Sequence, residues 1–133
     1  MKLKTMLATL LLAMLPFVSF SQQVQLNLIP KPQSICIGSG KFVINGNTTI
    51  RGNSDFAVKY LSDKIKSSSG IDIKENSSAS ENFIQIDVNS QSGLKREGYR
   101  LQITPEYIKI EANDNAGAFY GVQTLLQLMP ASV

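Results

Sequence analysis

Apolar and polar residues alternate in three successive stretches: Ile84, Ile86 and Val88 against Gln85 and Asp87; Tyr99, Leu101 and Ile103 against Arg100 and Gln102; Ile108, Ile110 and Ala112 against Lys109 and Glu111. A period of two sends successive side chains to opposite faces, so each stretch reads as a strand with one apolar and one wet face. That is the pattern expected of an antiparallel sheet covered on one side. Thr104-Pro105-Glu106 is short enough to join the last two strands as a hairpin. Two other stretches change period. Ala57, Leu61 and Ile65 recur every fourth residue with Tyr60 beside them, while Lys59, Asp63, Lys64 and Lys66 mostly face away. This predicts an amphipathic helix capped by Ser54 or Asp55 and ended by Gly70. A second helix, opened by Asn113-Asp114-Asn115, places Phe119, Val122, Leu126 and Met129 on one stripe that Leu125 widens. Gly117 and Gly121 cost that helix propensity, and their spacing of four predicts close approach to the sheet.

The shorter signals fill in the rest. Leu26 to Ile29 followed by Pro30-Lys31-Pro32 reads as an extended leading segment, since proline fixes its own φ and disfavours helix in the residue before it. Ile35-Cys36-Ile37 and Phe42-Val43-Ile44 flank Gly38-Ser39-Gly40, which predicts a hairpin; Thr48-Thr49-Ile50 is a further short strand, and Ile71 and Ile73 begin another. Gly38 and Gly40 lack the following helix and the further glycine that a phosphate cradle needs, so they read as a plain turn. Glu75 to Asn82, rich in serine and asparagine, is a solvated loop. The expected architecture is α+β: an antiparallel sheet with two helices packed on one face, forming one domain over residues 22–133.

The amino terminus determines the compartment. Lys2 and Lys4 precede an apolar run from Met6 to Phe20, and small residues, Ser19 and Ser21, flank Phe20. Residues 1–21 read as a secretory signal peptide cleaved after Ser21, so the protein is expected to be exported to the periplasm or the extracellular space. The run falls short of the roughly 20 apolar residues of a membrane span, and Pro16 sits near its end. No membrane span is expected after cleavage. The formal charge of +3 falls to +1 once Lys2 and Lys4 leave, with the remaining cations scattered among acids, so there is no electrostatic footprint for nucleic acid. Cys36 is the only cysteine; it cannot form an internal bridge, and between Ile35 and Ile37 it reads as a strand residue rather than a reactive thiol.

No reactive constellation emerges. The chain has no histidine, which removes serine-type triads, most zinc sites and the usual base at neutral pH. Its ten acids, Asp55, Asp63, Asp72, Glu75, Glu81, Asp87, Glu97, Glu106, Glu111 and Asp114, are dispersed over wet faces, turns and caps, with no two adjacent. Asp114 reads as a helix N-cap rather than a catalytic acid. Arg100 is either a solvated charge or a contact to a neighbouring domain. Tyr107, Phe119 and Tyr120 are candidates for a sugar-stacking platform, though aromatics beside aliphatic stripes are more often core. No catalytic, cofactor-binding or metal-binding residue is assigned, and no cofactor is expected.

Three segments together carry a resemblance: Leu28-Ile29-Pro30-Lys31-Pro32-Gln33 soon after the export signal, Gly98-Tyr99-Arg100-Leu101 before the hairpin, and Asn115-Ala116-Gly117-Ala118-Phe119-Tyr120-Gly121-Val122-Gln123-Thr124-Leu125-Leu126-Gln127-Leu128 in the closing helix. They resemble the N-terminal αβ domain, domain 2-like and non-catalytic, of family 20 glycoside hydrolases, the β-N-acetylhexosaminidases. The last motif is the most specific, because it fixes polar positions that amphipathicity does not require. The resemblance implies a C-terminal (β/α)8 catalytic barrel as partner, amino-sugar glycans as substrates through that barrel, and substrate-assisted catalysis with an adjacent Asp-Glu pair in the barrel, a departure from the two-carboxylate pattern. Such a barrel takes about 250 residues, so the catalytic TIM barrel is expected to be absent from this chain and the chain alone inactive. Two other readings stay open: an independent secreted carbohydrate-binding or interaction module, and the leading domain of another barrel glycosidase, a glucuronidase or hyaluronidase-like enzyme.

Overall fold

The computed structural model of the protein describes residues 26–130, so the expected signal peptide lies outside the described residues. In chain order the elements are β1 (Thr49–Gly52), α1 (Asp55–Ser69), β2 (Lys74–Glu75), β3 (Phe83–Val88), β4 (Tyr99–Ile103), β5 (Tyr107–Ala112) and α2 (Asn115–Leu128). The strands form one sheet in the order β2-β1-β3-β5-β4. The α+β class and the two helices over one sheet face are as expected.

The expected antiparallel pairing is corrected. β1 runs parallel to both β2 and β3, β3 runs parallel to β5, and only β4 and β5 are antiparallel. The cause is connectivity. β1 reaches β2 through α1, and a crossover helix returns the chain in its starting direction. β4 then passes to the far edge, and the Thr104–Tyr107 turn folds β5 back between β4 and β3. In that turn Thr104 Oγ1 accepts from the Tyr107 N–H at 3.1 Å. Alternation along a strand therefore reported which face is covered, not strand direction.

The covered face carries Ile50, Ile84, Ile86, Ile108, Ile110 and Ala112, all buried. α1 lays Ala57, Val58, Leu61 and Ile65 on it. Its end is as expected: Gly70 sits at φ 74° and donates its N–H to the Lys66 carbonyl, the left-handed residue that glycine supplies without a Cβ penalty. The stripe of α2 is rotated from the expected one. Ala118, Val122 and Leu125 are buried, Leu126 and Met129 only partly so, and Phe119 turns toward the rim. Gly121 sets this rotation, because a Cβ there would lie 2.6 Å from Ile110 Cγ2 and 3.3 Å from the Tyr99 ring.

Two expected strands are also corrected. Ile35-Cys36-Ile37 and Phe42-Val43-Ile44 are not strands, and among the described residues no backbone–backbone hydrogen bond ties them to the sheet. Side-chain packing holds this stretch instead: Phe42 and Ile44 reach the core, Gly40 seats against Pro105, and Ile35, Ile37 and Val43 stay exposed. Cys36 is thus an exposed free cysteine outside any strand. Near Ile71 and Ile73 the strand amounts to Lys74–Glu75, although Ile73 is buried.

Candidate functional site

The sheet has one uncovered face, carrying Arg51, Gln85, Asp87, Arg100, Gln102, Lys109 and Glu111. Two shallow depressions mark it. One of ≈ 240 Å³ is lined by Gln85, Asp87, Asn89, Arg100, Gln102, Lys109, Ile110 and Glu111; the other, of ≈ 420 Å³, lies over β1 and the Glu75–Ser77 loop. Arg51 donates from all three of its guanidinium nitrogens. Its Nε and NH2 donate to Gln85 Oε1, its NH1 donates to the carbonyls of Ser77 and Ala79, and its guanidinium lies 4.0 Å from the Phe83 ring centre. It therefore pins the solvated loop against the sheet, a role that a lone polar residue in Thr-Ile-Arg-Gly did not announce. Arg100 NH1 donates to Glu111 Oε2 at 2.7 Å across the β4–β5 pair; an exposed pair of this kind is worth ~0–1 kcal/mol.

The aromatic platform considered from sequence is not assembled. Tyr107 stacks on Phe83 on the open sheet face at 5.7 Å, whereas Phe119 and Tyr120 belong to the helix layer. Neither depression has an aromatic residue in its lining, so no surface for stacking a sugar ring is formed there.

The acids remain dispersed: among the described residues no three of His, Cys, Asp or Glu lie close enough to hold a metal ion. The titration of Asp114 is displaced. The Glu97 N–H, and after it the Gly117 N–H, each donating at 2.9 Å, hold its carboxyl below the ordinary 3.8. The second bond is the N-cap of α2 expected from sequence. The first fastens Glu97, whose φ of 62° is left-handed and costly for a residue with a Cβ. The turn so held presses Gly98 O onto the helix, where a Cβ on Gly117 would stand 2.5 Å from it. Because the folded-state pKa is depressed, the ionised carboxylate stabilises the fold fully above the unfolded value and progressively less as pH falls through the folded one. Asp114→Asn should therefore lower the unfolding midpoint at pH 7, and the gap from wild type should narrow by pH 3; an equal gap at both pH values would contradict this assignment.

The other outer surface is the helix layer, and it is aromatic. Phe56, in the first turn of α1, is 62% exposed, and Tyr120 of α2 is 42% exposed. Phe56 stacks on Tyr60 at 6.0 Å; Phe119 lies 6.0 Å from Phe56, 5.4 Å from Tyr60 and 6.1 Å from Tyr120. Gln123 Nε2 donates to the Tyr60 hydroxyl at 3.0 Å and ties the row across the two helices. Phe56 was not singled out from sequence, since one aromatic off an aliphatic stripe carries no pattern until a second helix brings partners to it. Among the described residues no helix is long and apolar enough to cross a membrane.

The five-stranded sheet lies under two helices whose outer surface is aromatic, and no three metal-ligating side chains come together among the described residues. Residues 25–133 match the family model "Glycosyl hydrolase family 20, domain 2", and the chain belongs to that family. A β-hexosaminidase of Porphyromonas gingivalis is 35% identical over 113 residues, which cover 81% of this chain and 14% of that protein. Among solved structures, the family 20 β-N-acetylhexosaminidase of Streptomyces coelicolor A3(2) superposes with a TM-score of 0.66 at 31% identity, covering 74% of this chain and 20% of that one. A chitobiase of Flavobacterium johnsoniae gives 0.62 at 30%, covering 81% and 19%. The chain thus spans about a seventh of the curated relative and a fifth of the solved ones.

Proposed function

We propose that this chain is the non-catalytic accessory domain of an exported β-N-acetylhexosaminidase, an enzyme that removes terminal N-acetylhexosamine residues from glycans, and that its outer helix face docks on a C-terminal (β/α)8 catalytic barrel of the same protein. The observation that carries this reading is the row Phe56, Tyr60, Phe119 and Tyr120. A fixed aromatic row left in water is a cost that disappears when a partner covers it, and the relatives' much greater length supplies a partner in the same polypeptide. The opposite sheet face is charged and hydrated and needs no cover. In this reading the catalytic groups, including the adjacent Asp-Glu pair that the family resemblance implies, belong to the barrel; the domain's own acids are spent on a cap, surface pairs and solvent. Residues 1–21 direct export and are removed after Ser21.

The test is turnover of a chromogenic N-acetylglucosaminide. Purified residues 22–133 are expected to release no chromophore above background, and the longer polypeptide is expected to be active. Turnover by residues 22–133 alone would overturn the accessory role.

A further inference from the structure

One side chain joins the leading segment to the far end of the fold. In the last turn of α2, Gln127 Oε1 accepts from the Ile29 N–H at 2.9 Å and its Nε2 donates to the Ile29 carbonyl at 2.8 Å, across 98 residues of sequence. A side-chain amide carries the same donor and acceptor as a peptide group. Gln127 therefore does for Ile29 what a cross-strand partner does in a hydrogen-bonded antiparallel pair. The pairing ends after one residue because a single side-chain amide has no further peptide group to continue the ladder.

The position of this clamp matters more than its strength. Tyr120, Gln123 and Gln127 follow one another at spacings of three and four, which places them on one face of α2, and Gln123 is the residue that meets Tyr60. Ile29 is consequently fastened at the carboxyl end of the same outward face that carries the aromatic row. Its side chain is 80% exposed. Both bonds to Gln127 are solvent-exposed and so contribute little to folding. A large aliphatic side chain held in place in water is best explained by what later covers it. Phe56, Tyr60, Phe119, Tyr120, Gln123 and Ile29 are uncharged side chains, with the Lys64 ammonium beside them, 5.5 Å from the Tyr60 ring centre.

We propose that Gln127 is a positioning residue that straps the leading segment onto α2, so that Ile29 extends the aromatic row into one continuous apolar docking surface. Its partner is an apolar face of the remainder of the same polypeptide. The inference rests on the docking reading given above and adds to it a second contact element and the residue that sets it.

The test uses the full-length polypeptide with two readouts: amide hydrogen exchange of the peptide containing Ile29, and the rate of proteolytic cleavage in the chain just after Pro130, which reports loosening of the docked domain. Gln127→Leu should speed Ile29 exchange about tenfold or more while amides of β3 and β5 stay protected, and should raise the cleavage rate. Gln127→Glu keeps the acceptor and loses the donor, so it should fall between wild type and Gln127→Leu. Ile29→Asp keeps the backbone bonds and should leave exchange unchanged while raising cleavage about tenfold. If Ile29 exchanges freely in the wild type, or Gln127→Leu does not alter it, the clamp is refuted. If Phe56→Asp raises cleavage and Ile29→Asp does not, Ile29 lies outside the surface and the inference fails while the docking reading stands. If neither raises it, the docking reading fails and the inference falls with it.

Discussion

Gly52→Ala is expected to lower folding stability by about 3 kcal/mol, at the upper end of what overpacking usually costs, although Gly52 is an exposed residue at the end of β1. A Cβ at this position would lie 2.1 Å from the Ile86 carbonyl oxygen and 3.1 Å from Val58 Cγ2. The first of these atoms is backbone of a central strand and has no rotamer through which to escape. Relief requires β1 to move off β3, and the next two residues register that movement. Asn53 holds β3 from both sides, accepting from the Val88 N–H at 2.7 Å and donating to the Val88 carbonyl at 2.9 Å. Ser54, buried at the start of α1, donates its hydroxyl to Asn115 Oδ1 at 2.9 Å and so links the first turns of the two helices. One methyl group therefore strains the strand pair, the clamp and the helix link together. Gly46→Ala is the control, since a Cβ there meets nothing within 4 Å; it should leave the denaturant midpoint within ~0.5 kcal/mol of wild type. Similar midpoints for the two variants would show that β1 and β3 yield more freely than their packing indicates.

Phe56→Asp should separate the domain from the rest of its protein without unfolding it. Phe56 is the second residue of α1, where a carboxylate is favoured by the helix dipole, and its ring is mostly in water, so the isolated domain should lose ~1 kcal/mol or less. In the longer polypeptide the same change places a charge where the docking reading puts a covered aromatic ring. Losing the burial of a phenylalanine costs about 2 kcal/mol, and a desolvated carboxylate adds to it. The expected result is one cooperative unfolding transition in the wild type and two resolved transitions in the variant, followed by scanning calorimetry. A single unchanged transition would mean that Phe56 faces solvent in the whole protein.

The elements with the strongest periodicity were legible in the sequence nearly to the residue. Gly70, Asp114 and the turn at Thr104-Pro105-Glu106 fixed the end of α1, the start of α2 and the join of β4 to β5 through local chemistry, which sequence exposes directly. The expected cap of α1 is corrected, because Ser54 occupies the N-cap position without a side-chain cap bond and gives its hydroxyl to Asn115 instead. Strand direction was not legible. The alternation of Ile84, Ile86 and Val88 says that one face of β3 is covered, and that statement holds whether its neighbours run with it or against it. The stripe of α2 was misplaced by Phe119: its hydrophobicity suggested the core, but Gly121 against Ile110 and Tyr99 turns a different face inward. Ile35, Ile37 and Val43 have strand composition without strand structure, since side-chain packing of Phe42 and Ile44 places that stretch. The family was legible in the Gly117 to Leu128 motif. The docking face was not, because Phe56 and Tyr60 meet Phe119 and Tyr120 only after two helices far apart in sequence are laid side by side.

The most direct measurement of the central claim is hydroxyl-radical footprinting of side chains, read by mass spectrometry, on residues 22–133 alone and on the longer polypeptide. The account predicts that Phe56, Tyr60, Phe119 and Tyr120 are labelled readily in the isolated domain and several-fold less in the longer protein, while Tyr107 on the open sheet face is labelled alike in both. Equal labelling of Phe56 and Tyr120 in the two proteins, with protection appearing at Tyr107 instead, would contradict it and move the interface to the sheet.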